Sequence, residues 1–255
     1  MLQKKVLTWL ESTGFPLEMA AANAFRRAGF EVRQSTPYLD SETEKGREID
    51  VLATDPDYFG VVEINFVMEC KSSSKPWVVL TSDDAFGSYN RFHAFGAMTE
   101  SARSSLLKKG MKLMSWPYIS RPAEGGYGFR QALSDGGDAA YTAAMGVMKA
   151  CADLVRTGES RSFKPLVFAF PVIVVDSPLF ECRLQTDGKL DLKEVVDSEF
   201  LFTVHIPQAF GCSIRVLTKA HLPDFAKRAH ELAKAIREDV KDVETTVLSS
   251  IRITS

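Results

Sequence analysis

The chain has 255 residues, of which 45% are hydrophobic and 25% carry a charge. This length and composition suffice for a sizeable core, and we expect a single domain over residues 1–255. The formal net charge of −2 argues against a free-standing protein that coats nucleic acid by electrostatic attraction alone. No run of apolar residues approaches the roughly 20 that span a bilayer, so we expect no membrane association.

The N-terminal residues and the spacing of the cysteines are typical of a protein of a reducing compartment. Residues 1–11 combine lysines with apolar residues, but Glu11 interrupts the run before the core of a signal peptide is complete. We expect a short amphipathic helix there, and a cytoplasmic protein. Because no CxxC pair is present, neither a zinc knuckle nor a disulfide framework is predicted. The cysteines are Cys70, Cys151, Cys182 and Cys212.

Residues 16–30 predict the first long helix. Pro16 stands at the start and Gly29 near the end, where each residue type is favoured. Glu18 falls in the first turn, and two explanations stay open for it. It is either a carboxylate of a functional site or an acidic side chain favoured there by the helix dipole.

Residues 47–53 and 61–71 predict two strands joined by a turn at 54–60. Both segments are rich in β-branched and apolar residues, and the connection contains Pro, Asp and Gly. A hairpin of this kind brings Asp50 towards Glu69. Side chains alternate along a strand, so Glu69 and Lys71 share one face. Met68 and Cys70 then face the core.

Asp50, Glu69 and Lys71 form a combination with a clear chemical use. Two carboxylates supply the hard oxygen ligands that Mg²⁺ prefers, and an ammonium group beside them orients water or neutralises charge on a phosphate. Glu-x-Lys alone is a weak motif. Here it occurs once and lies at the end of the most strand-like run of the first hundred residues.

The middle of the chain is less regular. Residues 72–80 predict a polar turn and a short strand, in which Ser72 and Lys75 are candidates for phosphate contact. Residues 82–112 have a helical pattern. An irregular insertion around 115–138 is predicted either as a substrate-facing loop, with Arg121 able to contact nucleic acid, or as a structural elaboration.

The remaining residues predict a helix, further strands and a final helix. Residues 138–157 have strong helical periodicity, and Lys149 on this helix is a candidate for contact with nucleic acid or an ordinary exposed lysine. Residues 165–176 are almost continuously apolar, as in a strand covered on both faces. Additional strands are predicted at 180–184, 200–206 and 214–218. An amphipathic helix at about 222–240 is expected to dock on the sheet or to bind a second subunit.

The motif Ile49-Asp50 followed by Glu69-Cys70-Lys71 resembles that of the PD-(D/E)xK nuclease superfamily, with Ile49 in place of the leading proline. The order of a helix, strands, a helix and a buried strand is similar to that superfamily as well. The resemblance implies an α/β fold with a restriction-endonuclease-like core, in which helices flank a central mixed β-sheet. The whole chain would then be a single nuclease-like domain.

The resemblance also implies a function and a set of site residues. Asp50, Glu69 and the backbone carbonyl of Cys70 would bind Mg²⁺, with Mn²⁺ as a substitute, and Glu18 is a candidate further carboxylate. Lys71 would position water for attack on phosphorus. We therefore expect a DNA endonuclease of restriction, repair or phage defence, acting as a homodimer or with a partner subunit.

Two alternatives stay open. One is a non-catalytic nucleic-acid-binding or assembly module of a larger complex, which explains the nearly neutral charge but not the trio of Asp50, Glu69 and Lys71. The other is an RNase on the same scaffold. No residue pattern distinguishes RNA from DNA.

Overall fold

The computed structural model describes residues 1–87, 89–110, 123–134, 136, 138–205 and 209–253. Its helices are α1 (Leu2–Glu11), α2 (Phe15–Arg27), α3 (Arg91–Phe95), α4 (Glu100–Leu107), α5 (Ala139–Ser160) and α6 (Leu222–Ile253), the last preceded by a 3₁₀ turn at Lys219–His221. Its strands are β1 (Glu31–Asp40), β2 (Lys45–Thr54), β3 (Val62–Lys71), β4 (Trp77–Ser82), β5 (Ala97–Met98), β6 (Gly125–Gln131), β7 (Leu166–Val175), β8 (Leu179–Leu184), β9 (Leu190–Val195), β10 (Asp197–His205) and β11 (Ala209–Thr218).

The strands form one mixed sheet of 11 strands in the order β1-β2-β3-β7-β11-β10-β6-β4-β8-β9, with β5 paired to β7 outside this order. Strands β1, β2 and β3 are an antiparallel meander. Strand β7 lies beside β3 and runs parallel to it. Helix α5 precedes β7 in the chain and packs on both β3 and β7. An α/β fold with a central mixed sheet between helices is thus confirmed.

Helices cover the central strands from both sides. Helices α2 and α6 bury apolar side chains on one face, while α5 packs on the opposite face. Every residue of β7 is buried as a result, which confirms the prediction of a doubly covered strand at 165–176. The prediction for the first long helix is also correct, since α2 begins next to Pro16 and Gly29 follows it with φ 97°.

The C-terminal helix α6 docks on the sheet, as expected, and extends beyond the predicted end near residue 240. Its apolar stripe is buried within the chain itself and so is not a free surface for a second subunit. The buried residues of this stripe are Leu222, Phe225, Ala226, Ala229, Leu232, Ala233, Ile236 and Val240. Helix α1, in contrast, buries no residue.

The predicted irregular insertion around 115–138 is wrong for residues 125–131, which form strand β6 between β10 and β4. Two glycines explain the error. A Cβ atom on Gly125 would lie 1.8 Å from the Phe86 ring, and one on Gly126 would lie 2.4 Å from the Glu199 carbonyl oxygen. These glycines permit close packing within a sheet, whereas in sequence they indicate a loop. Arg121 lies outside the described residues.

Two further segments differ from their sequence patterns. Residues 82–112 do not form one helix, because the described part contains α3, the short strand β5 and α4. The turn at Asp187–Gly188 joins β8 to β9, a strand that the pattern did not predict. Its residues are almost all exposed, although Leu190 and Leu192 alternate with charged residues as in a half-buried strand.

The first strand, β1, contains two residues that are unusual in a strand. Ser35 has a φ of 50°, in the left-handed region that residues other than glycine rarely adopt. Pro37 has no amide hydrogen and is paired with Glu48 on β2. Both are tolerated because β1 is the last strand on its side of the sheet.

The described helices include none whose length and apolar character would allow it to cross a lipid bilayer. The cysteines are thiols and not disulfides, and Cys70, Cys151 and Cys212 are buried in the core.

Candidate active site

The site lies where β2 and β3 separate. These strands pair from Thr54 opposite Asn65 to Val51 opposite Met68, which confirms the predicted hairpin. Beyond Met68, β3 continues beside β7 as far as Lys71. Strand β2 also pairs with β1, and this pairing extends to the part of β2 before Val51, which β3 does not reach. A fork therefore opens directly at Asp50.

Asp50 occupies an interruption in the strand pairing on both of its sides. The β1–β2 ladder joins Gln34 to Val51 and Thr36 to Ile49 but omits the pair of Ser35 and Asp50 between them. On the other side, the Asp50 carboxylate Oδ2 accepts a hydrogen bond of 2.7 Å from the backbone amide of Cys70. The side chain thus replaces a backbone partner and is aimed across the fork at β3.

Glu69 and Lys71 point into the same fork. The Lys71 ammonium Nζ lies 2.6 Å from Glu69 Oε1, and the side chains are 30% and 18% exposed, respectively. Met68 and Cys70, which alternate with them, are buried in the core beneath α2 and α6. The predicted division of β3 into a polar face and a core face is therefore observed.

Helix α5 approaches the site through a glycine, which the sequence analysis did not single out. A Cβ atom on Gly146 would lie 3.5 Å from Glu69 Oε2, so the helix backbone passes close to this carboxylate. The hydroxyl of Tyr38 donates a weak hydrogen bond, 3.5 Å long, to the Gly146 carbonyl oxygen. Burial raises the pKa of Tyr38 to about 12, and the charges on Asp40 and Glu69 contribute to the increase. Tyr38 therefore stays protonated beside the site.

The carboxylates of the site repel one another. Burial raises the pKa of Glu69, and the Asp50 charge raises it further, whereas Lys71 acts in the opposite direction. Burial also raises the pKa of Asp50, whereas the hydrogen bond from the Cys70 amide and the charge on Lys71 lower it. For Glu18, at the start of α2, the pKa is raised first by burial and then by Asp50 and Glu69. A bound cation would relieve this repulsion.

The donor set fits a metal site with two protein carboxylates. Within the described ranges, no group of three or more His, Cys, Asp or Glu side chains is close enough to hold a metal ion. Glu18 thus interacts with Asp50 and Glu69 through its charge without joining them as a close third ligand. Mg²⁺ usually retains several waters and binds through one or two carboxylates plus substrate phosphates, so Asp50 and Glu69 suffice for it.

The residues predicted to contact nucleic acid lie in different surroundings. Ser72 donates a hydrogen bond to Asp176, which follows β7, and this contact joins the ends of the two parallel strands. The backbone carbonyl of Lys75 accepts a hydrogen bond of 2.8 Å from Ser177 in the same region. Ser72 and Lys75 are therefore on the loop that leaves the end of β3, close in sequence to Lys71.

Lys149, the predicted contact on α5, forms ion pairs with the β1–β2 connection. Its ammonium lies 3.0 Å from both carboxylate oxygens of Asp40 and 2.5 Å from Glu42 Oε2, and its side chain is only 12% exposed. This ion pair attaches the β1–β2 connection to α5. The charge of Lys149 is therefore compensated within the fold, and its contact with nucleic acid stays a prediction.

No protein-family model, curated protein or solved structure with which the chain was compared matches it.

Proposed function

We propose that this protein is a metal-dependent nuclease that hydrolyses phosphodiester bonds, with DNA as the substrate. The observation that carries the proposal is the convergence of Asp50, Glu69 and Lys71 at the fork between β2 and β3. Two carboxylates with raised pKa values and an adjacent ammonium group match the requirements of metal-assisted attack on a phosphate.

Each residue has a separate task in this proposal. Asp50 and Glu69 supply oxygen ligands from opposite sides of the fork, and the Cys70 carbonyl is a further candidate ligand. When bound, Mg²⁺ would lower the pKa of water and stabilise charge on the phosphate and the leaving oxygen. Lys71 orients the attacking water, and its charge offsets the negative charge that develops on the phosphate. Its ion pair with Glu69 keeps the ammonium at the site.

The order of the elements supports the same proposal. Helix α2 is followed by the antiparallel meander β1–β3, then, after intervening elements, by α5 and by β7 parallel to β3. This order of a helix, three strands, a helix and a strand is the one that the resemblance to the PD-(D/E)xK superfamily implies. The choice of DNA and the expected role in restriction, repair or phage defence depend on that resemblance alone.

The test is cleavage of a panel of plasmid DNA, linear duplex, single-stranded DNA and RNA with Mg²⁺ or Mn²⁺. The wild type is compared with Glu69→Gln and with Glu63→Gln as a matched control. Glu63 also lies on β3, but it forms an ion pair with Arg161 away from the fork. We expect cleavage of DNA by the wild type and the control, and none with EDTA or with Glu69→Gln.

Other outcomes have distinct meanings. Cleavage of RNA alone would replace DNA as the substrate and leave the site assignment intact. A folded wild-type protein that cleaves no member of the panel would contradict the nuclease proposal and favour an assembly module. Equal activity in Glu69→Gln and the wild type would show that the fork is not the active site.

A further inference from the structure

A second concave site lies between α2 and α6, apart from the fork. It is a cleft of about 480 Å³ formed by the last two turns of α2, the 3₁₀ turn and the start of α6. This volume lies within the range of small-molecule sites, about 300–1,000 Å³. The residues that line it are Ala20, Asn23, Ala24, Arg27, Ala28, Lys219, Leu222, Pro223 and Lys227.

The rim of the cleft carries positive charge that the fold does not neutralise. Arg27 comes from α2, Lys219 from the 3₁₀ turn and Lys227 from α6. None of them forms an ion pair with another residue that the structure describes, whereas the neighbouring Arg228 is paired with Asp197 at 2.7 Å. The N-terminus of α6 adds a partial positive charge at Leu222, which Asp224 in the same first turn partly offsets. Cations gathered without a counter-ion favour an anionic ligand.

The cleft has an apolar part. Ala20 and Ala24 on α2 and Ala28 directly after it lie at helical spacing on one face, and their small side chains leave room above them. Asn23 also lines the cleft, and its amide offers both a hydrogen-bond donor and an acceptor. An apolar surface beside a polar amide suits a heterocyclic base, and the cationic rim suits a phosphate.

From this arrangement we propose that the cleft between α2 and α6 binds a small nucleoside phosphate. The base lies over the alanines of α2, Asn23 contacts the edge of the base, and Arg27, Lys219 and Lys227 hold the phosphate. The cleft is independent of the fork. Glu18 lies in the first turn of α2 and Arg27 at its end, and the residues that line the cleft include none of Asp50, Glu69 and Lys71.

The test is isothermal titration calorimetry with AMP, GMP, CMP and UMP, and with pyrophosphate and a six-nucleotide single strand as separate arms. All titrations contain EDTA, and the full-length Glu69→Gln protein is titrated as well, so that binding at the fork does not contribute. The cleft variant is Arg27→Gln/Lys227→Gln. The matched control is Lys234→Gln/Lys241→Gln, which removes the same number of positive charges from exposed positions further along α6.

We expect 1:1 binding of at least one mononucleotide to the wild type, to Glu69→Gln and to the control, and a loss of about tenfold or more in the cleft variant. Equal affinity in the cleft variant and the wild type would overturn the proposal. Pyrophosphate that binds as tightly as every mononucleotide would overturn the role of the base. Binding of the six-nucleotide strand without any mononucleotide would replace the proposal with contact to a nucleic-acid strand.

Discussion

The Asp50 carboxylate accepts a hydrogen bond of 2.7 Å from the backbone amide of Cys70, the residue between Glu69 and Lys71. One side chain of β2 is thereby fixed to the backbone of β3 at the point where the ladder between the strands has ended. The relative positions of the two carboxylates thus depend on a main-chain contact rather than on two mobile side chains. A site that must hold an ion at defined distances benefits from this rigidity.

Removal of the ammonium group should separate catalysis from metal binding. Lys71→Met keeps most of the side-chain volume and leaves Asp50 and Glu69 in place. We expect cleavage to fall by about 10²- to 10³-fold, as for other lost charge-stabilising groups, while the Mg²⁺ concentration for half-maximal activity changes little. Single-turnover cleavage at several Mg²⁺ concentrations measures both quantities. A rate within twofold of the wild type would remove Lys71 from the mechanism.

Metal binding should appear as added stability even without substrate. At a Mg²⁺ concentration of about 100 times Kd, the free energy of unfolding should rise by about 2.7 kcal/mol if the unfolded chain does not bind. Asp50→Ala should abolish this increase while the protein stays folded, as judged by circular dichroism. Thermal unfolding with and without Mg²⁺ measures the effect. An equal increase in Asp50→Ala would place the bound ion elsewhere.

Without metal, the charge on Asp50 should lower the stability of the fold. Its pKa is raised in the folded protein, chiefly by burial, so ionisation costs more there than in the unfolded chain. The favourable contribution of the protonated group is complete below the ordinary pKa of 3.8 and is lost as the pH rises through the raised value. Asp50→Asn, whose amide oxygen still accepts from Cys70, should therefore be more stable than the wild type at neutral pH.

That gain should disappear as the pH falls below 3.8, because the wild-type carboxyl group is then protonated in both the folded and the unfolded state. Urea unfolding in EDTA across this pH range measures it. Asp187 is a control of opposite sign, since its hydrogen bonds to Lys189 lower its pKa. Asp187→Asn should lose stability above pH 3.8 rather than gain it. A destabilising Asp50→Asn substitution at neutral pH would contradict a raised pKa of Asp50 in the folded protein.

Strand β6 should tolerate a methyl group at one glycine and reject it at another. A Cβ atom on Gly126 would meet the Glu199 carbonyl oxygen at 2.4 Å, and this backbone atom cannot rotate away as a side chain can. Gly126→Ala should therefore cost about 3 kcal/mol. At Gly128 the closest atom is Leu80 Cδ1 at 3.5 Å, an ordinary contact, so Gly128→Ala should cost less than about 1 kcal/mol. Equal stabilities in urea unfolding would contradict the pairing of β6 with β10.

Local rules of sequence account for the hairpin and for the polar face of β3. Alternation alone places Glu69 and Lys71 on the side opposite Met68 and Cys70, and the turn residues between the strands determine that they pair. Helix α2 follows from Pro16 at its start and Gly29 after its end. Helix α5 follows from its periodicity and from Asp138, whose side chain accepts a hydrogen bond from the Tyr141 amide.

Features that depend on distant segments were beyond sequence analysis. Lys149 is paired with Asp40, more than a hundred residues earlier, and no local pattern distinguishes it from an exposed lysine. The sequence does not indicate the left-handed φ of Ser35 or the interruption in strand pairing opposite Asp50, because serine fits an ordinary strand equally well. Gly146 is the third case, since its closeness to Glu69 arises only when α5 packs on β3.

The irregular backbone of β1 limits how copies of this chain are able to associate. Fibre growth by strand addition requires two sheet edges whose backbone donors and acceptors match each other. At β1, the left-handed Ser35 and the missing amide hydrogen of Pro37 interrupt that row of donors and acceptors. The opposite edge, β9, is left to pair only with its own copy. Backbone pairing between chains would therefore end at a closed dimer instead of an open polymer.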